Sequence, residues 1–206
     1  MKKFEFTGET KTINLLFRTA TLHRIKAVVE FGLVKVGDLG GWIEKEENLS
    51  HEGKAWVCGD AKVWGNAKVW GNAKVCGDAK VCGDAKVWGN AKVCGDAKVC
   101  GDAEVCGDAE VWGNAKVCGD AEVFSASHVL VIGAIGSRDD FTTFFRDKDN
   151  EITVKCGCFL GKIDKFLEKV TQTHGDSKYG LVYRAAVEVA RLQIDLSGEA
   201  PKDADE

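Results

Sequence analysis

Val57-Cys58-Gly59-Asp60-Ala61-Lys62 is followed without a gap by Val63-Trp64-Gly65-Asn66-Ala67-Lys68, and the same six-residue unit runs on to Val123. Each unit reads Val, then Cys or Trp, Gly, Asp or Asn, Ala, then Lys or Glu. On a helix of about 3.6 residues per turn, every sixth residue would spiral around the axis, so a helix does not explain this period. Short strands joined by Gly-Asp or Gly-Asn corners do, because those dipeptides tolerate the left-handed backbone of a sharp turn. Three units then make one triangular coil, and coils stack at about 4.8 Å. Val points inward, and the Ala four positions later is small enough to sit beside a corner. Collagen is excluded because Gly recurs every sixth residue and not every third. Disorder is excluded because every unit carries an apolar residue at a fixed phase.

Working outward, Ile43 and Leu49 keep the six-residue spacing before two extra residues break the register ahead of Val57. They predict an irregular first coil. Residues 1–38 hold strand-like stretches (Phe4-Glu5-Phe6, Leu22 to Ile25, Ala27 to Phe31) suited to capping an open sheet end. After Phe124 the period stops. Val129 to Ile132 reads as a strand, and Phe141 to Phe145 and Ile152 to Lys155 flank the hairpin signal Asp147-Lys148-Asp149-Asn150. Residues 162–173 and 178–196 have helical spacing. The expected architecture is mainly β: an N-terminal β cap (1–38), a parallel β-helix (39–124), a small α+β module (125–197) and a frayed acidic tail (198–206).

Residues eighteen apart should stack, which sorts the Cys/Trp slot into three outward columns. They are Cys58, Cys76, Cys94, Trp112; Trp64, Cys82, Cys100, Cys118; and Trp70, Trp88, Cys106, Phe124. Exposed apolar ladders mark an interface, and the third column is the expected contact between protomers. The charged slot likewise gives one basic column, Lys62, Lys80, Lys98 and Lys116. It reads either as an anion-binding rail or as a solvated face neutralised by nearby Asp.

The net charge of -4 gives no reason to expect generic nucleic-acid binding. No apolar run follows Met1-Lys2-Lys3 and none reaches the length of a membrane span, so neither signal peptide nor membrane partner is expected and the expected location is cytoplasmic. The nine cysteines are accordingly expected as thiols. Seven occupy one slot of the repeat, and Cys156-Gly157-Cys158 is too closely spaced for a usual zinc knuckle, so no metal and no cofactor are expected.

The chain resembles the hexapeptide-repeat proteins, whose signature is aliphatic-x-x-x-small-x. That resemblance implies a left-handed coil and assembly as a homotrimer. Many such proteins are acyl-CoA-dependent acyltransferases with a His base and a loop interrupting the coils. Here no His lies within residues 57–123 and no loop interrupts them, leaving His51 and His128 as the only candidates. Over nearly its whole length the chain is similar to phage- and prophage-encoded members. The similarity is carried by Lys3-Phe4-Glu5-Phe6-Thr7-Gly8-Glu9, Gly37-Asp38-Leu39-Gly40-Gly41-Trp42-Ile43, Ile132-Gly133-Ala134-Ile135-Gly136-Ser137-Arg138 and Cys156-Gly157-Cys158-Phe159. It implies a protein acting in the cytoplasm of an infected bacterium. With no catalytic set visible, the expectation is a non-catalytic binding protein that sequesters an anionic, nucleotide-like host ligand or blocks a host defence protein. A rigid spacer and an acyltransferase are the alternatives. The first binding candidates are Arg138, Asp139, Thr142, Thr143, Arg146 and Lys155, because an Arg beside backbone turns suits phosphate.

Overall fold

The structure, a computed structural model, describes residues 1–202. Its centre is a β-solenoid of about five turns. Short strands from β4 (Trp56–Val57) to β15 (Glu122–Val123) form three parallel faces, each joining rungs eighteen residues apart. Val57, Val75, Val93 and Val111 align on one face, and Val63, Val81, Val99 and Val117 on the second. Val69, Val87, Val105 and Val123 align on the third. These valines and the alanines of the repeat are at most 2% exposed, so the inward phase of the repeat is the core. At the corners glycine is required twice over. Gly83 has φ 77°, and a Cβ added there would lie 3.0 Å from the backbone N and O of Gly101 one coil on.

The N-terminal cap continues one solenoid face. Strands β1 (Phe4–Asn14) and β2 (Thr19–Ala27) form an antiparallel hairpin, and β2 pairs with β3 (Leu39–Ile43). β3 then runs parallel to the Lys62–Val63 rung. Ile43 aligns with Val63 and Leu49 with Val69, which is the irregular first coil the spacing predicts. Phe4, Ile25 and Ala27 bury against this coil with Trp56. Lys3 is 3% exposed. Its ammonium donates to the carbonyls of Ala55 and Glu52 at 2.9 and 3.3 Å, and burial pushes its pKa down to about 8. The expected strand from Ala27 to Phe31 is instead a loop. Ala27 exchanges hydrogen bonds with Asp38 and Gly37, which ends β2, and Phe31 bridges only to Val34.

At the other end, β16 (Val129–Ile135), β17 (Asp140–Arg146), β18 (Ile152–Cys156) and β19 (Phe159–Lys162) form an antiparallel sheet. Helices α1 (Ile163–His174) and α2 (Lys178–Gln193) complete the module. Alternation along β17 serves two cores. Phe145 joins the solenoid core, whereas its neighbour Phe144 joins the cluster of Val154, Phe166, Tyr183 and Val187. The Asp147–Asn150 signal makes the expected turn, with Asn150 at φ 58°. Asp147 fastens it by accepting from the N–H groups of Asp149 and Glu151, from Thr153 and from Lys162. Burial alone would raise the Asp147 carboxyl; these donors outweigh it and hold the pKa low.

Three expectations about the solenoid surface need correction. The Trp70, Trp88, Cys106, Phe124 column is not an open ladder. Trp88 and Cys106 are 9% and 0% exposed, and the Trp70 and Trp88 rings stack at 5.9 Å. The segment after α2 lies over the end of this column: Gly198 sits against the Phe124 ring and Pro201 lies beside Gly107. That segment is therefore tied down, with the Asp195 backbone N–H donating to the Ser127 carbonyl; positions 203–206 lie outside the described residues. Nor are all cysteines thiols. Stacking places Cys58 and Cys76, and Cys100 and Cys118, with Cα atoms 4.8 and 4.7 Å apart, and both pairs are disulfides.

Candidate functional site

The C-terminal module holds a cleft of about 480 Å³. Four segments converge on it. The 3-10 turn Gly136–Arg138 after β16 brings Ser137 and Arg138, and the tight turn between β18 and β19 brings Cys156, Gly157 and Cys158. Phe166, Lys169, Val170, Thr173 and His174 come from one face of α1, and Tyr183 comes from α2. The β18–β19 turn is sharp because Gly157 takes φ 55° at its first central position, as a type II′ hairpin requires. Gly157 also lets the Arg138 guanidinium approach: a Cβ there would lie 3.0 Å from Nη1.

The floor is aromatic. Phe166 meets Phe159 with ring centroids 5.3 Å apart and Tyr183 edge-on at 5.5 Å. The Tyr183 hydroxyl accepts from the Cys156 thiol at 3.8 Å, and Cys156 in turn accepts from the Thr142 hydroxyl at 3.3 Å. Burial, and then this contact, push the Tyr183 pKa up to about 12, so the phenol stays protonated. The mouth is basic. Arg138 and Lys169 are exposed, and neither has an ion-pair partner among the described residues. Asp140 tempers this side of the rim and lies 3.8 Å from Lys116. The arrangement can hold an anionic group at the rim and a flat apolar body below it.

Of the six sequence candidates, Arg138 alone lines this cleft. Asp139 takes a left-handed conformation, φ 47°, and ends the Gly136–Arg138 turn. Thr142 and Thr143 are buried; Thr143 accepts from the Lys116 N–H at 3.0 Å and so ties the module to the last coil. Arg146 is 1% exposed. It donates to Glu122 at 2.7 Å, to Asn150 and to the Gly198 carbonyl, and lies over the Phe124 ring. Lys155 is half-buried in β18, paired with Leu160 and outside the cleft. The expected cluster of six is thus a joint with one binding residue at its edge. Lys169, Thr173, His174 and Tyr183 were missed. On α1, Lys169 and Thr173 border Phe166 and Val170 at helical spacing, but nothing local shows that this border faces Arg138.

The two histidines considered as bases both lie outside this cleft. His51 stacks on Phe4, accepts from the Lys3 N–H at 3.1 Å and shares a hydrogen bond with Glu46. His128 is buried and its Nδ1 accepts from the Phe124 N–H; burial, then the Arg146 charge, lower its pKa. Among the described residues no group of His, Cys, Asp or Glu is placed to hold a metal ion, and no helix is long and apolar enough to cross a membrane. No protein-family model matches the chain, and no curated protein matches it in sequence.

Proposed function

We propose that this chain is a phage-type binding protein in which the solenoid is a scaffold and the C-terminal cleft takes a small anionic ligand with a flat apolar part, such as a nucleotide. The observation that carries this reading is Arg138, exposed and without an ion-pair partner among the described residues, at the mouth of an aromatic-floored cleft. Arginine presents paired donors matched to phosphate. In an infected cell, sequestering a host nucleotide would serve counter-defence. Binding without turnover is the reading because His51 and His128 are engaged in end-capping contacts outside the cleft, and His174, which does line it, packs its ring against Tyr179 and Tyr183.

Assembly into homotrimers belongs to the same reading, but on a surface other than the Trp70 column. Helix α2 leaves Leu181, Val189 and Leu192 at 57%, 48% and 90% exposure, an apolar stripe along its outer side. Native mass spectrometry of the purified chain tests this, with a monomer counting against it.

Titration calorimetry with mono-, di- and cyclic nucleotides tests the cleft. Binding by the intact chain, weakened about tenfold or more in Arg138→Ala and Lys169→Ala, is the expected outcome. Absence of binding by every nucleotide would sink the reading. Deleting one coil, residues 81–98, should leave binding intact, because the cleft is built within the module.

A further inference from the structure

A second cleft, of about 470 Å³, lies on the solenoid flank beside the N-terminal loop. Phe31, Leu33 and Trp56 give it an apolar wall, and Lys54 and Lys74 give it positive charge; Lys92 also lines it but is paired with Glu110 at 2.8 Å. Among the described residues no carboxylate lines it. Its remaining wall includes the Cys58–Cys76 disulfide, in a column whose next rung carries the Cys94 thiol. The parallel register Val57, Val75, Val93 sets the three sulfurs at successive rungs, so Cys76 stands between two potential partners.

From this placement we propose that the cleft is a thiol–disulfide exchange site for a low-molecular-weight thiol bearing carboxylates. The lysines hold the carboxylates while the incoming thiolate attacks the Cys76 sulfur. A bond forms between the external sulfur and Cys76, the Cys58–Cys76 bond breaks, and Cys58 leaves as a thiolate. The Cys94 thiolate then attacks Cys76, forms the Cys76–Cys94 bond and expels the external thiolate. The proton of Cys94 ends on Cys58. No net oxidant or reductant is consumed; the disulfide moves by one rung. Burial pushes the Cys94 thiol up, which slows the second step and lengthens the life of the mixed disulfide.

The Cys100–Cys118 disulfide has the Cys82 thiol on the preceding rung of its column, so the sulfur geometry is repeated. The depression beside Cys118 is lined by Asp120, Asp147 and Asp149, and its Lys162 is already bonded to Asp147, Asp149 and Glu151. Carboxylates thus lie within reach of this second disulfide, but Lys98 and Lys116 stand two residues before its sulfurs on the same strand face, so its surroundings carry both signs of charge.

The test treats air-purified full-length protein with reduced glutathione, which is anionic, or with cationic cysteamine. Acid quenching and peptide mass spectrometry then locate mixed disulfides. At Cys76 the glutathione adduct should exceed the cysteamine adduct about fivefold, the size expected for a few partly screened charges. Lys54→Glu with Lys74→Glu, both at exposed positions, should abolish or invert that preference. Cys94→Ser should make the glutathione adduct on Cys76 accumulate several-fold. Equal yields of the two adducts at Cys76, or Cys58 and Cys76 recovered as thiols before treatment, would overturn the proposal. An unchanged adduct level in Cys94→Ser would overturn the assignment of the resolving thiol.

Discussion

The solenoid and the C-terminal module solve burial in opposite ways. In the solenoid one rule is repeated: Val and Ala inward, Gly at the corner, and each coil tested against an identical neighbour. In the module nothing repeats. Its junction with the last coil depends on single groups, above all the buried Arg146, which ties Glu122 of the solenoid to the β17–β18 turn and to residue 198. A repeated core spreads its stability over many equivalent contacts, whereas a joint concentrates it. The same contrast governs function. The module can gather different side chains around one cleft, while the solenoid displays columns of like residues.

Breaking the joint should have the largest effect. Arg146→Ala leaves Glu122 facing a void at the junction and should cost about 3–5 kcal/mol. A lowered urea midpoint should be accompanied by proteolytic release of the module before the solenoid is cut. Loss of both regions together would mean that the two are one cooperative unit. Within the solenoid, Gly83→Ala meets a positive φ and a stacked neighbour, so it should cost about 2–3 kcal/mol. Gly113→Ala has φ 62° but no atom within 4 Å, and should cost only about 1 kcal/mol. Equal costs in urea unfolding would show that stacking at the corners contributes nothing.

Two smaller tests sharpen the junction. Thr143→Val removes the acceptor of the Lys116 N–H and should cost about 1 kcal/mol, read as a shift in thermal midpoint. His128 gives the pH response. Its folded pKa is lowered, so as pH falls below about 6.5 the unfolded chain takes up the proton first. Stability is full above that value and declines below it until the folded His128 also protonates. His128→Gln should flatten this part of the profile of urea midpoint against pH.

Much of this was legible in the chain. The strand and corner of every coil, the irregular coil at Ile43 and Leu49, the Asp147–Asn150 hairpin and both helices follow from local pattern. The candidate site was less so. Arg138 was identified beside its turn, but Arg146, Thr142 and Thr143 carry the same polar character and proved to be buried. Polar side chains that satisfy a junction and those that meet a ligand look alike in sequence. Helix α2 shows a related ambiguity. Both Leu181, Val189, Leu192 and Tyr183, Val187, Ala190 lie at helical spacing, and only docking on the sheet chose the second set for the core.

The sequence by itself determined the solenoid, because each rung obeys a rule written within six residues and confirmed eighteen residues later. It also determined which cysteines stack. Only the tertiary structure decided what covers each outward column, which helix face is buried, and that Arg138, Lys169 and Tyr183 meet around one cleft. Those outcomes depend on how the non-periodic ends fold back upon the coils. The contacts concerned join positions distant along the chain, such as Arg146 with Glu122 and Pro201 with Gly107, and no local period encodes them.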